Sequence, residues 1–191
     1  LIIGFIWKTM LDSRFGPIND FLSIFGIESI PWIIKPGLAF FSILVVDTWQ
    51  WVPFIFLILY AGLRTLPVEP FEAARVDGAS NWRIFYDITL PMLFPASVAA
   101  ILLRSLEAFK IFDIVFYITG GGPGNATSSL SMVAYFTGLR SGNLGYAGAM
   151  TLVLLVTVII FSFIFLTVMK KPFSRRKQLL KLAMKQVQKK P

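Results

Sequence analysis

Hydrophobic positions in this chain gather into long runs instead of alternating with polar ones. A bilayer core needs about 20 apolar residues in a helix, and three complete runs reach that length. Residues 37–63 are interrupted only by Asp47 and Gln50. Residues 91–118 contain Arg104, Glu107, Lys110 and Asp113. Residues 147–169 carry no charge. Residues 1–10 form a shorter apolar run with no initiator Met and no charged leader before it. They read as the end of a transmembrane helix that begins outside this sequence, so an N-terminally truncated fragment is expected. The connections 11–36, 64–90 and 119–146 are polar and broken by Pro or Gly. This pattern predicts an all-α fold, a polytopic transmembrane helical bundle.

The composition agrees and narrows the chemistry. Of 191 residues, 56% are hydrophobic and 15% charged, well below the charge of a soluble domain. Cys and His are both absent, which excludes disulfides, thiolate nucleophiles, imidazole bases and the usual zinc sites. Half of the 18 basic residues lie between positions 170 and 190, with no acidic residue among them. The chain is thus a near-neutral body with a basic tail, 170–191. Such a tail directly after an apolar run is positive-inside flanking charge and places the C-terminus in the cytoplasm. Counting back, 119–146 is external, 64–90 cytoplasmic and 11–36 external. A nucleic-acid binder would spread its basic groups over a folded face, so nucleic acid is not an expected partner.

The cytoplasmic connection carries the most local information. Glu69 and Glu72 favour the positive end of a helix and Pro70 its first turn. Gly78 suits the left-handed residue after that helix, and Ser80 can cap a second one up to about Ile88. Pro91 then opens the next span. Two short helices meeting at a glycine are too small to have a core of their own. Their apolar residues Phe71, Ala74, Trp82, Phe85 and Tyr86 must pack on the membrane helices or dock into a partner.

The spacing Glu72-Ala73-Ala74, three residues, Gly78, nine residues, Ile88, one residue, Leu90-Pro91 resembles the EAA motif of ABC importer permeases at all seven positions. The similarity extends over about residues 7–169. Trp49 and the run up to Leu63, followed by Leu66-Pro67, are similar to the segment before the motif in carbohydrate-type permeases. Phe112-Asp113, Thr119-Gly120-Gly121-Gly122-Pro123 and Ala126-Thr127 resemble their external loop. Gly145-Tyr146-Ala147 with Ala149 resembles the start of their last helix, and Gly16, Ile18 and Asn19 an earlier external segment. The subgroup is that of the larger membrane subunit of maltose-type importers, and the basic tail is not covered.

That resemblance implies a set of partners. The loop 64–90 is expected to be the coupling element, with Glu72, Ala73, Ala74, Gly78, Ile88, Leu90 and Pro91 docking on cytoplasmic ABC ATPase subunits. A second permease subunit, different from this one, and an external solute-binding protein complete the expected assembly in a bacterial or archaeal cell membrane.

Ionisable residues within a span are candidates for function. Positions 47, 50, 51 and 54 share one helical face, as do 104, 107, 108 and 111. By resemblance these faces line a mid-membrane solute pocket made by Asp47, Gln50, Trp51, Phe54, Arg104, Glu107, Ala108 and Ile111. Carboxylates and a guanidinium can take paired hydroxyls, and an aromatic can cover an apolar sugar face. A salt-bridge cluster among Asp47, Arg104 and Glu107 explains the same charges without a solute. Lys110 and Asp113 lie nearer the outer end and suit structure or gating.

Gly120-Gly121-Gly122-Pro123-Gly124 lacks the Lys-Ser/Thr of a phosphate-binding loop. ATP hydrolysis is therefore expected on partner subunits, and the chain is not expected to be an enzyme. No catalytic residue, metal or cofactor is assigned. The tail suits either a basic amphipathic helix on anionic lipid or a disordered, solvated tail. The expected function is translocation of a sugar or related polyol. Arg104 keeps a glycerol-phosphate solute open, although Asp47 and Glu107 disfavour a dianion. A proton-coupled secondary transporter using Asp47 and Glu107 as relays is the alternative.

Overall fold

The computed structural model describes residues 2–187, with side chains up to residue 169. Among the described residues all regular structure is helical. The chain divides into two compact units, Leu1–Leu154 and Leu155–Pro191.

Three helical stretches are long and apolar enough to cross a membrane: Pro36–Arg64, Asn81–Phe109 and Leu144–Met169. The first is helix α3. It starts at Pro36, whose missing N–H costs nothing in a first turn, after α1 (Ile2–Met10) and α2 (Pro17–Ser23). Its face towards the bundle buries Ala39, Ser42, Ile43, Val46 and Asp47. Phe40, Phe41, Leu44, Val52, Phe56 and Leu57 stay exposed, a surface that suits lipid and would be an aggregation liability in water.

A short helix, α4 (Glu69–Val76), follows and has no buried residue. Gly78, at φ +72°, reverses the chain. Its N–H and that of Ala79 donate to the Arg75 and Ala74 carbonyls at 3.0 and 2.9 Å, which closes the helix end. The Ser80 hydroxyl accepts from the Arg83 N–H and starts α5 (Asn81–Ile84).

Here the structure departs from the sequence expectation. α5 does not end before Pro91 but runs through a π-helical turn, Phe85–Thr89, into α6 (Leu90–Phe109). The Leu90 N–H donates to the Phe85 carbonyl across the wider turn. That turn makes room for the Pro91 ring, which would clash in a regular helix. Pro91 thus sits inside a helical stretch and does not open one.

The expected run over 91–118 also breaks. α6 ends at Phe109, residues 110–112 turn, and α7 (Asp113–Ile118) is a separate helix. The break lets α7 bury Ile114, Val115 and Ile118. These join Leu11, Ile43, Val46 and Met132 in the core, with Ile3, Trp7, Trp32, Ile111 and Phe116 packed around them. Burial of three apolar side chains outweighs continuity of the helix. A Cβ on Gly4 of α1 would lie 2.8 Å from that of Tyr117, so a glycine is needed where these two elements meet.

The glycine-rich connection is also more ordered than its composition suggested. The Thr119 and Thr127 hydroxyls lie 2.7 Å apart, and Thr127 donates to the Gly122 carbonyl at 2.7 Å. A further helix, α8 (Leu130–Tyr135), and a π turn, Phe136–Arg140, come next. Tyr135 and Phe136 pack against Phe112 and Phe116 of the α7 region. Helix α9 (Leu144–Val187) then runs through the third apolar stretch, starting three residues before the expected 147. Its backbone is helical through Val187. The amphipathic face proposed for the tail lies outside the described side chains.

Candidate functional site

Two features of the sequence converge on definite places: the charged positions of the apolar runs, and the EAA segment.

Asp47 lies on the buried face of α3, about three turns into the helix, and Arg104 lies on α6. Small residues let these helices meet closely; a Cβ on Gly62 would stand 2.8 Å from that of Ala96. Across this contact the Arg104 Nη2 donates to the Asp47 Oδ2 in an ion pair. The guanidinium carbon of Arg104 also stands 5.4 Å from the centre of the Trp51 ring, within cation–π range. Phe54 meets Trp51 edge to face at 5.6 Å. The Arg104 Nη1 is buried and has no hydrogen-bond partner.

A cavity of about 170 Å³ opens beside this pair. Asp47, Gln50 and Trp51 of α3 line one side, and Glu107 and Ile111 the other. Arg104 joins through Asp47 and Trp51. Ala108 is exposed and Phe54 is one turn further along α3, and neither is in the wall. Of the eight residues singled out from sequence, five line the cavity, Arg104 and Phe54 back it through Asp47 and Trp51, and Ala108 lies apart.

The rest of the wall is Lys110, Phe112, Asp113 and Ile114. The sequence assigned Lys110 and Asp113 to structure or gating and did not single out Phe112 or Ile114 for the pocket. Their place depends on the turn at 110–112, which swings the chain back over the cavity. The Lys110 Nζ lies 2.8 Å from the Glu107 Oε1. The one sequence signal was the clustering of four charges within ten residues of an otherwise apolar run.

The EAA segment lies at the other end of α3. Glu72 and Ala73 are exposed on α4, and Ala74 is half-buried. Gly78 has open space around it, so its requirement is backbone conformation alone. Val76 and Trp82 are 87% and 72% exposed. Trp82 stacks on Tyr86 at 6.1 Å, and Phe85 meets Tyr86 edge to face at 5.3 Å. Ile88 is half-buried in the π turn, and Leu90 and Pro91 lead into α6. The hairpin thus presents apolar and aromatic surface that stays exposed among the described residues.

Comparison with known proteins gives this arrangement a family. The sequence profile of the binding-protein-dependent transport system inner membrane component matches residues 1–175. The chain is 40% identical over 162 residues to the trehalose/maltose transport system permease protein MalF of Thermococcus litoralis, covering 85% of this chain and 55% of that one. It is 35% identical over 167 residues to the sulfoquinovosyl glycerol transport system permease protein SmoG of Agrobacterium fabrum, covering 87% and 54%. The chain spans about half the length of these curated relatives. A crystal structure of a bacterial ABC transporter involved in the import of the acidic polysaccharide alginate superposes with a TM-score of 0.81. That match covers 89% of this chain and 60% of that one at 20% identity, and it shows the shared fold. With a family profile running over nearly its whole length, this chain belongs to the binding-protein-dependent transport system inner membrane components.

Proposed function

We propose that this chain is a permease subunit of an ABC importer that translocates a sugar or related polyol. An external binding protein delivers the solute, and separate cytoplasmic ATPase subunits energise the step. A second, different permease subunit completes the pathway. The solute is held in the cavity beside Asp47, Gln50, Trp51, Arg104, Glu107 and Ile111. The C-terminus and the α4–α5 hairpin face the cytoplasm. The relatives named for trehalose, maltose and sulfoquinovosyl glycerol transport support the solute class.

The observation that carries the reading is the hairpin around Gly78, exposed among the described residues, on a member of this family. α4 offers Glu72 and Ala73 to a partner, and small side chains let a partner backbone approach. Motion of an ATPase against α4 passes through the Gly78 hinge into α5 and so into α6.

Two experiments test it. A detergent pull-down of the full-length protein from its native membrane should recover a P-loop ATPase and a second permease; recovery of the chain alone overturns the assembly. Gly78→Val forces a β-branched residue into the left-handed region, at a cost of about 1–2 kcal/mol or more. Gly78→Val and Glu72→Lys should each abolish ATP-dependent uptake while membrane levels stay near normal. Unchanged uptake in both removes the coupling role. Uptake that collapses with an uncoupler at constant ATP favours a proton-coupled transporter instead.

A further inference from the structure

The cavity beside the Asp47–Arg104 pair holds several charges, and each cation beside it faces a carboxylate. Its wall carries Asp47, Glu107, Lys110 and Asp113. Arg104 gives Nη2 to Asp47, and its Nη1 is closed to solvent. The guanidinium face is covered by Trp51. Lys110 is held at 2.8 Å by Glu107. Among the described residues, an anion entering here meets three carboxylates, and the two cations beside it are each already paired with one.

A phosphate or carboxylate needs an unpaired cation, at best the two-pronged fork of a free arginine. A neutral hydroxyl needs none. It can donate to Asp47 or Glu107 and accept from the Gln50 amide or the Lys110 ammonium. The half-buried Trp51 adds an aromatic surface of the kind that covers the apolar side of a sugar ring.

We propose that Asp47 is the selectivity residue of this cavity. By engaging Arg104 it makes the site one for neutral polyhydroxylated solutes and excludes their phosphorylated or carboxylated forms. The proposal rests on the reading of this cavity as the solute site. Without the Asp47 charge, Arg104 is released to bind an anion.

The test uses the full-length protein with the subunits that accompany it from its membrane, placed in nanodiscs. Trehalose, maltose, trehalose 6-phosphate and maltose 1-phosphate are titrated in turn by calorimetry. The native protein should bind a neutral disaccharide about tenfold or more tightly than its phosphorylated form. Asp47→Asn should shift that preference towards the phosphorylated sugar by about tenfold or more. Gln50→Lys adds a cation to the same wall while leaving Asp47 and Arg104 in place, and should raise affinity for the phosphorylated sugar even if Asp47→Asn fails to fold. Native binding of a phosphorylated sugar as tight as its neutral form overturns the proposal, as does an unchanged preference in Gln50→Lys or in folded Asp47→Asn. Binding of none of the four sugars by the native assembly overturns the sugar reading itself, and the selectivity with it.

Discussion

Asp47 and Asn19 show how differently a polar residue can be used in an apolar setting. Asp47 meets Arg104, a charge from another helix 57 positions away. Asn19 meets backbone and one indole. Its side-chain nitrogen donates to the Asp12 and Ile30 carbonyls at 3.3 and 3.1 Å, and its oxygen accepts from the Ile30 N–H and the Trp32 ring nitrogen at 3.1 and 3.0 Å. One buried amide thereby ties α2 to the segment before α3. Asn19→Leu keeps the size but leaves buried donors and acceptors unpaired, each costing about 1–3 kcal/mol. A clear drop in the thermal midpoint of the detergent-solubilised protein is expected; a midpoint within a degree or so of the original contradicts this role. Asp47 and Arg104 stood out in the sequence because a charge in an apolar run is rare. Asn19 was noted only through family resemblance, because its partners lie 7 to 13 positions away and no local pattern marks them.

Helices α3 and α6 depend on their smallest residues. Gly62 faces Ala96 and Leu93 so closely that an added Cβ falls 2.8 and 3.0 Å from their side-chain atoms. In lipid, where apolar burial does not drive helices together, such contact supplies the packing. Gly62→Val should push the helices apart, cost about 1–3 kcal/mol and lower the thermal midpoint, with partial recovery in the double variant Gly62→Val, Ala96→Gly. No loss, or no recovery by the second change, argues against a tight crossing. The π turn at Phe85–Thr89 and the break after Phe109 belong to the same scale. The sequence marks the first with Pro91 but reads it as a helix start, because a proline is equally at home in a first turn and beside a wide one. Nothing local marks the second, since residues 111–118 are as apolar as the helix before them apart from Asp113.

Orientation is a property of the whole molecule and can be read by labelling. These 191 residues contain no Cys, so a cysteine introduced among them is compared with the parent protein as background. Ile24 and Val76 are 76% and 87% exposed, and lie in segments proposed to face opposite sides of the membrane. A membrane-impermeant maleimide on whole cells should label Ile24→Cys, and should label Val76→Cys only after the cells are opened. The reverse pattern inverts the topology, and labelling of both from outside removes it.

The sequence by itself determined the helical class, the three apolar spans, the capped hairpin at Gly78 and the family. Each of these rests on signals within a few residues: run length, a cap, a left-handed glycine, a fixed spacing. The tertiary structure decided where the run 91–118 breaks, which charges pair, and that Lys110, Phe112, Asp113 and Ile114 wall the cavity while Ala108 does not. Those outcomes depend on which distant surfaces meet. The core formed by Leu11, Ile43, Val46, Ile114, Val115, Ile118 and Met132 draws on four separate stretches of chain, and its burial bends the helix that the sequence alone would have left straight.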